Sequence, residues 1–164
     1  MSSIEQAQKA ATELKKLIEE GMNRKDIRYY YHLVGRIEFQ KENFTDAVEN
    51  FQRAISQLSF QYHLTGDRHA LFIEPLALAF YKQGELEKAQ EEYEKIISLT
   101  SGRLGFGDIY VRSHFMLGNI YERKSWKGKA IEHYEKFLDL WKDADPGIVE
   151  VEDAKKRLTN LKDR

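Results

Sequence analysis

Small and large apolar residues recur along the chain in three segments with the same internal spacing. In the last segment Ala130 follows Gly118 after twelve residues, and a tyrosine lies within about one helical turn of each. At 3.6 residues per turn, each small residue shares a helix face with its aromatic neighbour. The same separation recurs twice upstream, in the pairs Gly35 with Ala47 and Ala77 with Ala89. The pattern predicts three pairs of helices whose small residues allow two backbones to approach closely.

The apolar periodicity and the turn residues between its runs divide the chain into five parts. The predicted helical parts are an N-terminal helix over 4–21, helix pairs over 26–62, 67–100 and 108–142, and a C-terminal helix over 148–162. Bends are expected at Asn43 and Gly84, and Thr65, Gly66 and Asp67 are typical of a turn between the first two pairs.

Pro75 falls inside the first helix of the second pair. Proline removes one backbone hydrogen bond and clashes with the carbonyl four residues earlier. We therefore expect a kink or a break between Leu71 and Glu74.

The two end helices have different patterns. Residues 5–8 align with 87–90, which begin the second helix of the middle pair. The N-terminal helix is therefore either the second half of a repeat whose first helix is missing or an independent capping helix. The C-terminal helix has one apolar stripe and one charged face, which is what the end of a stacked array needs in water.

The three helix pairs resemble the tetratricopeptide repeat, in which Leu-Gly and an aromatic on one helix precede Ala and an aromatic on the next. The sequence departs from that signature: the opening Trp is replaced by Tyr31, Ile73 and His114, and Glu38 replaces the first-helix aromatic. The copies also lie 42 and 41 residues apart (47 to 89, 89 to 130) instead of about 34, which indicates longer helices and connections.

The resemblance implies an all-α, single domain over 1–164: a right-handed superhelix, or α-solenoid, of stacked antiparallel hairpins with about eight helices. The last repeat is also similar to repeat regions of large bacterial signalling proteins, some of them serine/threonine kinases. That second resemblance implies at most a regulatory or docking region, since no catalytic-loop motif of a kinase is present.

Composition narrows the class of protein. Of 164 residues, 41% are hydrophobic and 32% charged, which is typical of soluble globular or helical-repeat proteins. The absence of cysteine excludes disulfides and thiolate metal sites. The net charge of -1 gives no general attraction to nucleic acid. No run approaches the roughly 18 apolar residues of a membrane span, and no signal peptide is evident, so we expect a cytoplasmic protein without nucleic-acid or membrane partners.

The sequence contains no motif that favours catalysis. The histidines form no metal-binding motif; they are residues 32, 63, 69, 114 and 133. The glycines at 102, 105 and 107 do not follow a strand and lack the order of a phosphate-binding loop, so a flexible connection is the better interpretation. We expect neither an enzyme nor a metal or other cofactor.

In the resembling family the outward face of each first helix builds a concave wall. Carried onto the matching positions, the resemblance implies a partner-binding groove formed by Tyr29, His32, Arg36, Phe39, Gln40, Leu71, Glu74, Leu78, Tyr81, Lys82, Arg112, Phe115, Asn119, Glu122 and Arg123. Four basic and two acidic side chains give this wall a charge of +2. If the helices are rotated from this alignment, the residues that lie in the core instead are Phe39, Leu71, Leu78 and Phe115.

Aromatic side chains beside arginines are the residue types that dominate binding energy at interfaces. The resemblance therefore implies a non-catalytic adaptor or scaffold that binds an extended peptide or helix of a partner protein, with apolar anchors and some acidic residues. The alternative is a self-assembly module, or a fragment of a longer scaffold attached to a signalling protein, which associates as a homo-oligomer through the N-terminal helix. Some family members clamp a C-terminal carboxylate, but here only Arg36 and Asn119 have that chemistry and Glu74 would repel it. Recognition of chaperone tails is disfavoured.

Overall fold

The computed structural model describes residues 3–21, 23–58, 69–99, 106–143, 145 and 147–163. These residues form eight α-helices: α1 Ser3–Glu19, α2 Ile27–Gln40, α3 Phe44–Ser56, α4 His69–Gln83, α5 Leu86–Ser98, α6 Gly107–Arg123, α7 Lys127–Leu140 and α8 Val149–Lys162. A short 3₁₀ turn over Arg24–Asp26 precedes α2. The predicted turn at 65–67 and the glycines at 102 and 105 lie outside the described residues.

Three helical hairpins pack in chain order, as the sequence pattern predicts. They are α2 with α3, α4 with α5, and α6 with α7, and the second helix of each also contacts the first helix of the next. The first helices contact one another as well, α2 with α4 and α4 with α6. The described part of the chain is therefore an all-α stack of hairpins whose first helices share one side.

Close contacts at the small residues hold each hairpin together. A Cβ atom at Gly35 would lie 2.6 Å from the Phe51 ring, and one at Gly118 would lie 2.5 Å from the Tyr134 ring. The equivalent alanines of the three second helices are fully buried; they are Ala47, Ala89 and Ala130. In the first and third hairpins the aromatic ring of the second helix thus occupies the space that a side chain on the first helix would need, which explains the glycine at that position.

The three bends share one backbone conformation. Glu42, Gly84 and Ser125 have φ values of 63°, 82° and 61°, the left-handed region that ends many helices. In each bend the following backbone N–H donates to the carbonyl five residues earlier, as from Trp126 to Tyr121 at 2.8 Å. The backbone itself therefore reverses the chain in the same way three times.

The expected break at Pro75 is wrong, because α4 continues from His69 to Gln83 with the proline inside it. Proline leaves the carbonyl of Leu71, four residues earlier, without its helical donor. The His32 imidazole of α2 lies beside that carbonyl, which acts to raise the pKa of the imidazole. A polar side chain of a neighbouring helix thus faces the group that proline leaves unpaired.

The two end helices close the stack. α1 packs on α2 and on the 3₁₀ turn and buries Ala11 and Ile18, while Leu17 stays 45% exposed. α8 packs on α7 and buries Ala154 and Leu161.

Candidate functional site

The predicted groove residues lie on α2, α4 and α6, the first helices of the three hairpins. Five of them line one cavity of about 250 Å³ between the first and second hairpins. These five are Arg36, Phe39, Gln40, Glu74 and Leu78. Phe51 and Pro75 complete the lining. The structure therefore brings these five predicted groove residues of α2 and α4 together around a cavity whose walls are partly apolar and partly charged.

The apolar residues of this region differ in their relation to the core. Phe39, Leu71 and Tyr81 are partly buried and pack against the hydrophobic core. Leu78 is also half-buried, but it lies outside that packed cluster among the described residues and faces the cavity. Leu78 is therefore the apolar side chain of the lining that contributes least to packing of the hydrophobic core.

Charge in the cavity is concentrated on Glu74 and Arg36. Burial raises the pKa of the Glu74 carboxyl, while Arg36 and Arg112 oppose that rise and Asp108 adds to it. Arg36 is exposed on α2 and Arg112 on α6. Glu74 thus lies within the field of a cation from each neighbouring hairpin.

The edge of the cavity towards the N-terminus is aromatic. The His32 ring lies 4.9 Å from Phe72 and 5.9 Å from Phe51, measured between ring centroids. Burial, assisted by Arg36, lowers the pKa of His32 to about 4, so the imidazole is neutral at physiological pH. Tyr29 packs on Phe72 at 5.8 Å.

On the side towards the third hairpin, Arg123 lies over the Tyr81 ring at 5.0 Å from its centroid. This cation–π contact connects α6 to α4. Lys82 and Gln40 are exposed.

Most of the remaining predicted residues make contacts inside the third hairpin or with α8. Phe115 is buried, with ring contacts to Tyr134 and Phe137 at 6.1 and 5.2 Å. Asn119 is buried too, and its Oδ1 lies 2.9 Å from the Tyr134 hydroxyl.

Glu122 and Arg112 contact the C-terminal part of the chain. Glu122 accepts hydrogen bonds from the Tyr134 hydroxyl at 2.9 Å and from Arg157 of α8 at 3.0 Å. Arg112 pairs with Glu150 at 3.8 Å and lies 5.7 Å from the Trp141 ring. A partner-binding role for these third-hairpin residues stays a prediction, but their side chains already have structural partners.

Sequence reasoning missed an exposed indole at the third bend. Trp126 is 47% exposed and stacks on Tyr121 with 5.8 Å between ring centroids. Basic residues surround it in the sequence Arg-Lys-Ser-Trp-Lys-Gly-Lys over 123–129. That run of cations around an aromatic is visible in the sequence and was the available signal.

The described residues contain no group of three or more histidine, aspartate or glutamate side chains arranged to hold a metal ion. None of their helices combines the length and hydropathy that a membrane span requires.

Comparison with known proteins identifies the repeats. The family model described as tetratricopeptide repeat matches residues 76–102 and 111–140, which overlap the second and third hairpins. The chain is also similar to UBA domain-containing protein 7 of Schizosaccharomyces pombe, with 26% identity over 110 residues. That match covers 64% of this chain and 15% of the length of the relative. With three equivalent hairpins and two of them matched by the model, the chain is a tetratricopeptide repeat protein.

Proposed function

We propose that this protein is a non-catalytic adaptor whose groove between the first and second hairpins binds a segment of a partner protein. Tetratricopeptide repeats are in general protein–protein interaction modules, and in this chain the groove between the first two hairpins would carry that role. The observation that carries it is the cavity of about 250 Å³, which joins five groove residues of two first helices.

The lining indicates what the partner segment presents. Leu78 and Phe39 offer an apolar wall for one apolar anchor side chain of the partner. Arg36 is exposed at the rim and can pair with an acidic residue beside that anchor. Glu74 is desolvated in the floor and disfavours a second carboxylate there. A segment with an apolar anchor and an acidic residue on the Arg36 side fits this arrangement.

The test combines peptide selection with affinity measurement. Peptides selected from a random library against the wild-type protein would be titrated calorimetrically into wild type and into Arg36→Glu/Leu78→Gln. Neither side chain belongs to the packed core cluster, so this variant should remain folded and lose affinity by about ten-fold or more, or 1.4 kcal/mol.

The matched control is Lys156→Glu/Leu140→Gln. It also replaces one cation by glutamate and one leucine by glutamine, but on α8 and α7, away from the cavity. Both control positions are exposed. Equal affinity of the groove variant and the control for every selected peptide would show that the groove is assigned to the wrong place. The double change Arg36→Glu with Tyr81→Ala tests the wider wall in the same way and should also weaken binding without unfolding the protein.

Self-assembly is the second candidate, because α1 leaves Leu17 45% exposed at the end of the stack. Sedimentation of wild type and Leu17→Glu at several concentrations tests whether the protein associates with itself through α1. A concentration-dependent dimer that Leu17→Glu dissociates would support assembly, and a monomer at all concentrations would count against it.

A further inference from the structure

The bend between α6 and α7 presents basic side chains around an exposed indole. We call this surface the basic-aromatic patch and define it as Arg123, Lys124, Trp126, Lys127 and Lys129. Trp126 is 47% exposed, and Lys127 and Lys129 are exposed as well. Trp126, Lys127 and Lys129 do not line the cavity between the first two hairpins.

A buried tyrosine holds the indole in place. Trp126 stacks on Tyr121 with an interplanar angle of 16°, and its backbone N–H donates to the Tyr121 carbonyl at 2.8 Å. The Tyr121 hydroxyl in turn donates to Glu94 of α5 at 2.6 Å. The indole is therefore ordered before any partner arrives, which lowers the entropy cost of binding to it.

Two lysines of the patch, Lys127 and Lys129, are available for an anionic partner. Lys124 pairs with Glu87 at 3.3 Å, whereas Lys127 and Lys129 form no salt bridge within the part of the chain that the structure describes. The Lys129 ammonium lies 5.2 Å from the Trp126 ring centroid, so cation and indole are presented together.

The positions of these lysines do not favour stability. Lys127 and Lys129 lie in the first turn of α7, where the helix dipole disfavours cations. The first turn of α3 carries Asp46 and that of α5 carries Glu87 beside Lys88, whereas the first turn of α7 carries no acidic residue. Lys129 is compensated in part by the Tyr121 and Trp126 rings, whose centroids lie 5.0 and 5.2 Å from its ammonium. A cation such as Lys127 that opposes the local electrostatics of a fold is expected at a functional position.

We propose that the basic-aromatic patch binds a short acidic segment of a partner protein, with carboxylates on Lys127 and Lys129 and an aromatic side chain against Trp126. Aromatic and cationic residues dominate the energy of protein interfaces. The extent of the site is limited by nearby carboxylates, namely Glu87 at 3.3 Å from the Lys124 ammonium and Glu94, which accepts the hydrogen bond of the Tyr121 hydroxyl. A long polyanion would meet these carboxylates, while a short acidic segment avoids them.

The experiment uses Trp126 as its own reporter. The chain has two tryptophans, so Trp141→Phe leaves Trp126 as the source of the indole fluorescence. The probe is an acetylated decapeptide with one phenylalanine flanked by glutamates, titrated while indole fluorescence is recorded at low salt. We expect a saturable change, and in Lys127→Glu/Lys129→Glu an affinity lower by about ten-fold or more.

Two control proteins make the result specific. Lys142→Glu/Lys156→Glu changes the net charge equally at exposed positions outside the patch and should keep wild-type affinity. Arg36→Glu/Leu78→Gln should also keep it, so failure of the groove proposal and failure of this one are distinguishable. Urea unfolding should show that Lys127→Glu/Lys129→Glu is folded and at least as stable as wild type.

Three results would overturn the proposal. One is the absence of a saturable change with the decapeptide. Another is equal loss of affinity in the patch variant and the charge control, which would indicate general electrostatic attraction. The third is tighter, Lys127- and Lys129-dependent binding of a twelve-nucleotide oligothymidine or of phosphatidylserine vesicles, which would assign the patch to nucleic acid or to membrane.

Discussion

The contact between Gly118 and Tyr134 makes a sharp prediction about stability. In Gly118→Ala the new methyl group would lie 2.5 and 2.6 Å from Cε1 and Cδ1 of the Tyr134 ring, closer than real Cβ contacts allow. The ring cannot easily move, because it is fully buried and its hydroxyl lies 2.9 Å from both Asn119 Oδ1 and Glu122 Oε2.

The magnitude follows from two opposing effects. Overpacking of a core typically costs about 1–3 kcal/mol. Replacing a helical glycine by alanine returns roughly 0.5–1 kcal/mol. We expect Gly118→Ala to lower the free energy of unfolding by about 1–2 kcal/mol and Tm by roughly 2–4 °C for each kcal/mol.

Urea unfolding followed by circular dichroism measures this change, with Gly128→Ala as the matched control. Gly128 is exposed on α7, and a Cβ there meets nothing within 4 Å, so only the helix-propensity gain of roughly 0.5–1 kcal/mol remains. The two substitutions should shift the midpoint in opposite directions. If Gly118→Ala is as stable as wild type or more stable, the argument that the ring excludes a side chain is refuted.

Three further predictions concern the bends, the third hairpin and pH. Glu42→Gly should stabilise by roughly 0.5–1 kcal/mol, and Gly84→Ala should destabilise by about 1 kcal/mol, because both positions have positive φ; thermal unfolding compares them. Tyr134→Phe should cost about 1–3 kcal/mol in urea unfolding, since it removes the hydroxyl whose single proton is shared between Asn119 Oδ1 and Glu122 Oε2, both at 2.9 Å. His32 has a folded pKa of about 4 against 6.5 when unfolded, so the unfolded state binds more protons between these values. Stability should therefore fall as pH is lowered from 6.5 to 4, by at most roughly 3 kcal/mol, and His32→Gln should reduce that slope in urea midpoints measured against pH. An unchanged slope would show that His32 does not carry the effect.

The repeated hairpins could be predicted because their cause is local. Gly35 and Phe51 lie on neighbouring helices at a spacing that the sequence alone reveals. The Phe51 ring fills the space that a side chain at position 35 would need. Spacing of small and large residues is a property of each helix face, so it can be read without knowing the rest of the fold.

Other features depended on partners distant in sequence. α4 continues through Pro75, and the His32 imidazole of another hairpin lies beside the Leu71 carbonyl that the proline leaves without a helical donor. Asn119 lies at a groove position in the alignment but is buried beside Tyr134. Such outcomes depend on how helices rotate and pack, which the periodicity of a single helix does not determine.

The same limit applies to the groove. Alignment with the repeat signature places candidate side chains on the first helices, and the structure gathers Arg36, Glu74 and Leu78 around one cavity. Two of the third-hairpin candidates, Glu122 and Arg112, contact α8 instead, through Arg157 and Glu150. The sequence indicates that α8 is amphipathic, but not which side chains of α6 it engages.

The left-handed residues at Glu42, Gly84 and Ser125 have a consequence for how such a chain can diversify. The same main-chain hydrogen bond reverses the chain at each of these points although the neighbouring side chains differ, so the reversal does not require one side-chain type. The third turn can thus carry Trp126 where the first two carry Asn43 and Glu85, and Lys127 where they carry Phe44 and Leu86. Transplanting residues 123–129 onto another turn of the array should move a recognition property without altering the scaffold.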